Sequence, residues 1–462
     1  MITVLTLLFF YMTLGIPFAA LLSSNNDNRF KIVGESFFWG VFLVISLLNI
    51  MQYFSLSLSL KTFYYSMLVY ACCALLVFLY LQIKNNKILL NASIFQNFTP
   101  LYLLALALIS LQLYSIILQN QALPLSAWDG WYGWIAKAKI WFYHGINEPL
   151  VARTQWLITE SKFTSPIFQY PDGLSLIYVF NAHYFGWNET LLNGIYPASL
   201  IAFLLAYYGN IKQLLNSTKS ACLAVVLLIT IPFINTHIII AGYADIWVAF
   251  YLALCLLNIQ HFLNRPSLKK LIQSIIFMSA LPMFKLESWV WLLLVVFSFV
   301  LTLLSKHRRR MMLLLMGFVF IVWYMLDGFE YHFSFGELVF KPNLIKVPAL
   351  GTFVLSFVNT SSAWLEALFY SNNWNLLWYS LPFVIFASIK MKSHKALVLP
   401  SLYLTFTVLF IFVLFYMTYA SIFANDFTSS NRVVLHIVPV YIYFIILLVH
   451  EYSTPKKTGT LK

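Results

Sequence analysis

Four cysteines in 462 residues are too few for a disulfide framework, and Cys72, Cys73, Cys222 and Cys255 all lie in apolar segments, where a thiol behaves as a small hydrophobe. A cysteine metal site is excluded on the same ground. Charge is equally scarce: Asp, Glu, Lys and Arg together make up 9% of the chain, and only 15 residues are acidic. No group of His, Asp and Glu has a recognisable metal-ligand spacing, so no cofactor is assigned and a divalent ion has no ligand motif. No internal repeat is visible, and no inverted repeat of the sort many secondary transporters carry. No basic segment precedes the first apolar run, and Asn-rich polar sequence follows it instead of a small-residue cleavage motif. That run therefore reads as a retained helix.

What the chain has in abundance is hydrocarbon. It is 61% hydrophobic, and many of its apolar runs reach about 18 to 25 residues, the length that spans a bilayer. This excludes a soluble protein and implies a polytopic membrane one. The net charge of +13 does not point to nucleic acid, because the basic residues sit in short clusters between apolar runs, as topology signals do.

The runs predict spans near 1 to 22, 36 to 58, 62 to 82, 99 to 119, 189 to 209, 221 to 241, 246 to 262, 311 to 328, 376 to 390, 396 to 420 and 432 to 450. Between 271 and 304 the run is too long for one span and is broken by Pro282, Lys285 and Glu287, so two short helices meeting at a polar tip are expected. The expected fold is an all-α helical bundle with about 13 crossings.

Sorting charge among the connections gives the bundle a direction. If the loops near 23 to 35, 83 to 98, 210 to 220, 263 to 270, 305 to 310 and 390 to 395, with the tail, are cytoplasmic, that face holds 19 of the 28 Lys and Arg. It then holds only three acids, Asp27, Glu35 and Glu451. Parity requires 174 to 186 to begin and end outside, as a re-entrant or juxtamembrane helix, and likewise roughly 350 to 371. The outer face then collects Asp129, Lys137, Lys139, Asp172, Asp245, Lys285, Glu287, Trp374, Asn375, Asp426 and Arg432.

Each of these has a chemical reading and a structural one. Asp129, in the run from Trp128 to Phe142 that opens the long outer connection 120 to 188, is a general base or substrate-orienting carboxylate, or else a helix cap in an aromatic belt. Lys137 and Lys139 are two apart and point in different directions on a helix, so one is available to a phosphate while the other reaches lipid headgroups. In Tyr170-Pro171-Asp172-Gly173 and Gly242-Tyr243-Ala244-Asp245 an acid stands at a helix start, suited to the dipole or to substrate. Lys285 and Glu287 interrupt an apolar run at a cost of roughly 2.5 to 3.5 kcal/mol for a charge at mid-membrane. They form an ion pair or a phosphate-binding Lys oriented by Glu. Arg432 offers a bidentate fork to a phosphate, or anchors a lipid headgroup.

Trp128-Asp129, then Lys137-Ala138-Lys139, Tyr170-Pro171, Gly242-Tyr243-Ala244-Asp245, Lys285-Leu286-Glu287 and Ser430-Asn431-Arg432 occur in an order and at separations that resemble the bacterial members of the GT-C superfamily. These are membrane glycosyltransferases that use polyprenyl-phosphate sugars, such as protein mannosyltransferases and lipid A aminoarabinose transferases. The resemblance covers about residues 99 to 450, and the three spans within 1 to 98 have no counterpart; 451 to 462 is a cytoplasmic tail. Two departures stand out. The related sequences tend to have Lys-Asn-Glu-Gly where this chain has Lys285-Leu286-Glu287-Ser288, and the large soluble C-terminal domain of oligosaccharyltransferases is not seen.

The resemblance implies juxtamembrane helices in the first outer loop and an essential Asp there, matching Asp129. It implies inverting transfer of a sugar from a polyprenyl-phosphate donor to a lipid, glycan or protein acceptor at the outer face of the bacterial inner membrane. The donor phosphate is expected near Lys137, Lys139, Lys285 or Arg432, with Tyr170, Asp172, Asp245, Glu287 and Asn375 supporting. Trp131, Trp134 and Trp374 are expected to stack on sugar or to anchor at the interface. Membrane lipids are the other expected partner. A lipid-linked glycan flippase and an O-antigen polymerase or ligase are the alternatives, although acids avoiding the inner half fit a transport path poorly.

Overall fold

The computed structural model of the chain describes residues 1–24, 27–56, 59–84, 99–158, 162–333, 336–348, 351–391 and 394–453. Most of the loop expected at 83 to 98 and of the tail expected at 451 to 462 lies outside the described residues. Backbone contacts divide the chain into two units, residues 1–288 with 445–462, and residues 289–444.

The described residues of the first unit form the helices α1 (Ile2–Leu22), α2 (Arg29–Tyr53), α3 (Leu60–Lys84), α4 (Pro100–Ala122), α5 (Ile135–His144), α6 (Gly173–Phe185), α7 (Glu189–Asn193), α8 (Ile195–Leu215), α9 (Thr218–Ile229), α10 (Pro232–Ile239), α11 (Asp245–Asn264) and α12 (Leu268–Ala280). Two short parallel strands, β1 (Leu150–Val151) and β2 (Phe163–Thr164), fasten the connection between α5 and α6. Helix α11 is the axis of this unit: every residue from Asp245 to His261 is buried. A helix apolar all round and without heptads is suited to that central place.

Its neighbours approach to backbone contact at glycines. A Cβ on Gly15 of α1 would lie 1.8 Å from the Ser36 carbonyl oxygen of α2, and one on Gly34 of α2 would lie 2.2 Å from the Ala206 nitrogen of α8. Gly209 meets Lys31 in the same way, at 2.1 Å. Lipid tails are as apolar as the side chains, so helices in a membrane associate chiefly through close packing of this kind.

Below those contacts lies an ionic network. Helix α2 begins at Arg29 instead of near 36, which takes Lys31 and Glu35 out of the expected loop and into the helix. Glu35 accepts from the Asn258 and Asn210 amides at 2.8 and 2.9 Å, and the Lys31 ammonium donates to the Asn258 carbonyl oxygen at 2.9 Å. Asp27 pairs with Lys270 at 2.5 Å and accepts from Gln213 at 2.9 Å. Burial alone would raise the Asp27 carboxyl, but Lys31, Lys270 and Gln213 together hold it well below the usual carboxylate range. Charges that read as topology signals are thus also the polar fastening of α2, α8, α11 and α12.

The second unit continues with α13 (Ser288–Leu303), whose first residue closes the first unit, and α14 (Lys306–Met325), none of whose residues is buried. An antiparallel meander follows: β3 (Phe329–Phe333), β4 (Gly336–Lys341), β5 (Leu344–Val347) and β6 (Gly351–Val354). Helices α15 (Ser361–Leu365), α16 (Leu381–Lys390), α17 (Val398–Met417), α18 (Ser421–Asn425), α19 (Ser430–Leu435) and α20 (Val438–Ser453) complete it, the end of α20 belonging to the first unit.

The chain is mostly helical, as expected, and this small sheet is its departure from an all-α fold. Its period-two alternation puts Phe329, Tyr331 and Phe333 on one face and Glu330 and His332 on the other, with Lys346 paired to Glu337 at 2.6 Å. The re-entrant or juxtamembrane helix expected over roughly 350 to 371 is present only in the second part of that segment. That segment starts as β6 and is helical only from Ser361, with a π turn over Glu366–Tyr370.

Among the described residues, seven helices are long and apolar enough to cross a membrane, or eight if the pair α9 and α10, bent by 63° at Thr230-Ile231, is counted as one broken span. This chain is a membrane protein. The expectation of about 13 crossings counted apolar runs that end as shorter helices. Among these are the ten residues of α16 and the 16 of α20, and a helix needs about 20 residues to span the core. The break between α12 and Ser288 does fall at Pro282, where a 3₁₀ turn covers Leu281–Met283.

Candidate functional site

Residues 128–144 form one continuous helical stretch, wound as a π-helix over Gly130–Trp134 before it becomes α5. Single π turns concentrate at functional sites. Asp129 has helical backbone angles (φ −61°, ψ −30°) in the first turn, and its carboxylate makes no capping hydrogen bond.

Gly130 brings this turn against the connection that leads into α11. Gly242 has φ +94°, a conformation glycine adopts without strain, and a Cβ there would lie 3.1 Å from both the Gly130 Cα and the Ala127 Cβ. Asp245, three residues on, is fully buried at the start of α11. Both Asp129 and Asp245 lie within electrostatic reach of the Tyr196 hydroxyl, which donates to the Tyr243 carbonyl at 2.8 Å.

Asp245 pairs with the Lys285 ammonium at 2.9 Å, and Glu287 stands 3.8 Å from the same ammonium. The sequence reading paired Lys285 with Glu287 alone. The closer partner comes from 40 positions away, which no local pattern reveals. The second carboxylate oxygen of Glu287 has no hydrogen-bond partner among the described residues.

A second pair lies nearby in the same unit. Lys137 is buried, donates to the Tyr170 carbonyl at 3.1 Å, pairs with Asp172 and lies 5.3 Å from the Trp141 ring centroid. Asp172 begins α6 but makes no capping hydrogen bond, because its carboxylate goes to Lys137. Burial raises the Asp172 carboxyl above its ordinary value, and Lys137 offsets only part of that. A Cβ on Gly173 would lie 2.4 Å from the Met283 carbonyl oxygen, so the start of α6 touches the turn that precedes Lys285. The two ion pairs are thereby linked through one stretch of backbone.

Lys139 points elsewhere: exposed, it stands 3.6 Å from Glu189 and 5.8 Å from the Trp187 ring. Trp134 is buried against Tyr170 at 5.5 Å, and its carbonyl accepts from Ser175, so its ring is core and is not presented to a ligand. Trp131 is exposed and packs edge-on against Trp128 at 4.5 Å. Trp374, Asn375 and Arg432 belong to the second unit. There Trp374 is fully buried and donates to Asn431 at 3.0 Å, and Asn375 follows it in a left-handed turn with φ +50°. Arg432 stands on α19, next to Asn431. Asp426 accepts from Thr428 within its own turn. Among the described residues, no three of His, Cys, Asp and Glu stand close enough to hold a metal ion.

An open cleft of about 720 Å³ adjoins the Lys137–Asp172 pair. It is lined by Ser46, Asn49 and Gln52 of α2, by Trp141 and Glu148, and by Asp172 and Met283. The sequence reading missed the α2 residues. A polar group at each third position, Ser46, Asn49 and Gln52, in the otherwise apolar second half of α2 was the available signal.

No family model matches the chain, and neither does any curated protein or solved structure.

Proposed function

We propose that the chain is an inverting glycosyltransferase of the GT-C type, moving a sugar from a polyprenyl phosphate to a cell-envelope acceptor at the outer face of a bacterial inner membrane. The observation that supports the reading is the contact of Gly130 with Gly242, which sets the turn that carries Asp129 against the connection leading to Asp245 and its partner Lys285. The reaction needs a carboxylate to take a proton and a buried, oriented ammonium to meet the departing phosphate.

In this mechanism Asp129 takes the proton from an acceptor hydroxyl as that oxygen attacks the anomeric carbon. The bond from that carbon to the phosphate oxygen breaks on the opposite face, with inversion, and its electron pair leaves on the polyprenyl phosphate. Lys285, directed by Asp245 and Glu287, meets the charge that develops on the leaving oxygen. Lys137 holds the loop instead, through Tyr170 and Asp172. Preorganised charge of this kind usually supplies the largest catalytic contribution.

The test is direct: purified protein, a polyprenyl-phosphate donor with a labelled sugar, and an extract of envelope acceptors. Label appearing on an acceptor supports the reading. A donor that changes leaflet with its sugar bond intact replaces it with a flippase, and use of only a diphosphate-linked glycan replaces it with a polymerase or ligase.

A further inference from the structure

The cleft beside Asp172 has a one-sided hydrogen-bonding character. Each amide on its wall already gives an N–H to a backbone carbonyl: Asn49 to Ile45 at 2.9 Å, Gln52 to Ile146 at 2.9 Å and Asn147 to Leu56 at 3.4 Å. The Trp141 indole N–H goes to the Glu148 carbonyl at 3.1 Å. A carbonyl only accepts, so these contacts fix the amide orientations and turn their oxygens toward other partners. Gln52 Oε1 and Ser46 Oγ are buried with no hydrogen-bond partner among the described residues. The Glu148 and Asp172 carboxylates add acceptors on the same wall.

The wall offers the Gln52 carbonyl oxygen and two carboxylates as acceptors, with the Ser46 hydroxyl able to give or take, which favours a ligand with several O–H donors, and the carboxylates repel a phosphate. Its volume lies within the range of about 300 to 1,000 Å³ usual for small-molecule sites. Tyr53 and Phe54 stand exposed among its lining residues, their rings 5.1 Å apart, and offer aromatic faces to the C–H side of a sugar ring. Lys137 is buried in its pair with Asp172, so Glu148 leaves the lining with an excess of negative charge.

We propose that this cleft is a saccharide site, binding an unphosphorylated sugar ring through its hydroxyls to Ser46, Asn49, Gln52 and Glu148. The proposal rests on the glycosyl-transfer reading for its place in a reaction, and gives α2, one of the helices without a counterpart in the resembled family, a part in substrate recognition. Its binding chemistry is independent of turnover.

The experiment uses the full chain in lipid nanodiscs, prepared without glycoside detergents, and saturation-transfer NMR with methyl glucoside, methyl mannoside, methyl N-acetylglucosaminide, glucose 6-phosphate and ethanolamine. At least one neutral glycoside is expected to bind. Glucose 6-phosphate is expected to bind at least about tenfold more weakly than the best of them, since every 1.4 kcal/mol is tenfold. Gln52→Leu should weaken glycoside binding by roughly fivefold to a hundredfold, the range for leaving a buried polar group unpaired. Ser46→Ala is the second variant, should Gln52→Leu lower the unfolding temperature. The proposal is overturned if no glycoside binds, if the phosphorylated sugar binds as well as the neutral ones, or if ethanolamine displaces the glycoside, which would mark a cation site. Wild-type binding in both variants overturns it too. Glycoside binding without sugar transfer would remove the enzyme reading and leave the cleft assignment standing.

Discussion

The Lys285 ammonium lies 2.9 Å from the carboxylate of Asp245, tying the polar break after α12 to the first residue of α11. Both side chains are nearly or wholly out of solvent. Removing one partner of a buried pair costs about 3 to 5 kcal/mol because the other is left charged and alone. Asp245→Asn and Lys285→Ala are therefore expected to lower folded yield, and Glu287→Ala, whose carboxylate is farther away and more exposed, less so. Fluorescence-detected size exclusion checks the order. In protein that does fold, Lys285→Ala should raise the donor concentration needed for half-saturation; unchanged saturation removes Lys285 from the phosphate.

Asp129→Asn keeps shape and hydrogen-bonding capacity but cannot take a proton near neutral pH. General bases contribute about 10²- to 10⁴-fold, so transfer should fall at least roughly a hundredfold while donor binding persists. The two are measured on one preparation by product formation and donor binding. Transfer within a fewfold of wild type would return Asp129 to a structural role.

The helix contacts predict opposite outcomes for two glycines. Gly34→Ala drives a Cβ to 2.2 Å from the Ala206 nitrogen and should destabilise by about 1 to 3 kcal/mol, as overpacking does. Gly317 on exposed α14 has nothing within 4 Å of its Cβ position, so Gly317→Ala should stabilise by roughly 0.5 to 1 kcal/mol. Chemical denaturation in micelles reads both.

Asp27 predicts a pH dependence with a definite sign. A carboxyl held below its ordinary value in the folded state contributes stability that is complete above the unfolded pKa of about 4 and is lost only as pH falls further. The stability difference between wild type and Asp27→Asn should stay constant from pH 7 down to about 5 and then shrink toward pH 3. A difference that widens on acidification contradicts the assignment. Thermal unfolding across that range checks it.

Topology is testable with fusions. Helix α6 has 13 residues, about 20 Å at 1.5 Å per residue, too short for a core of about 30 Å. Reporters after Ser126 and after Asn188 should give the same side, the outer one, and those after His307 and Lys395 the cytoplasmic one. Opposite results for the first two would reverse the assignment of the whole outer loop.

Much of the helical layout was legible because it depends on short-range sums. A run such as Pro100–Ala122 is uncharged and mostly apolar, and a proline such as Pro282 breaks a helix interior. The meander at 329 to 354 was not read. Its strands have four to six residues, and Phe329, Tyr331 and Phe333 alternate over too few positions to stand out beside the apolar helix that precedes them. Asp129 stands out in the sequence as a charge among aromatics, but that its backbone is already helical follows from the π winding over Gly130–Trp134, which no pattern marks.

By itself the sequence determined that this is a membrane protein of many apolar helices, since burying some twenty hydrocarbon side chains in a row is a property of each segment alone. It also determined where charge is scarce enough to be conspicuous. Which charges meet was decided by tertiary structure. Lys31 reaches Asn258 across 227 positions, Lys285 reaches Asp245 across 40, and Lys137 turns to Asp172 while Lys139 turns to Glu189. Such pairs form where glycines let helices touch, at Gly34 with Ala206 and Gly130 with Gly242, and a contact between two backbones is set by the packing of the whole unit.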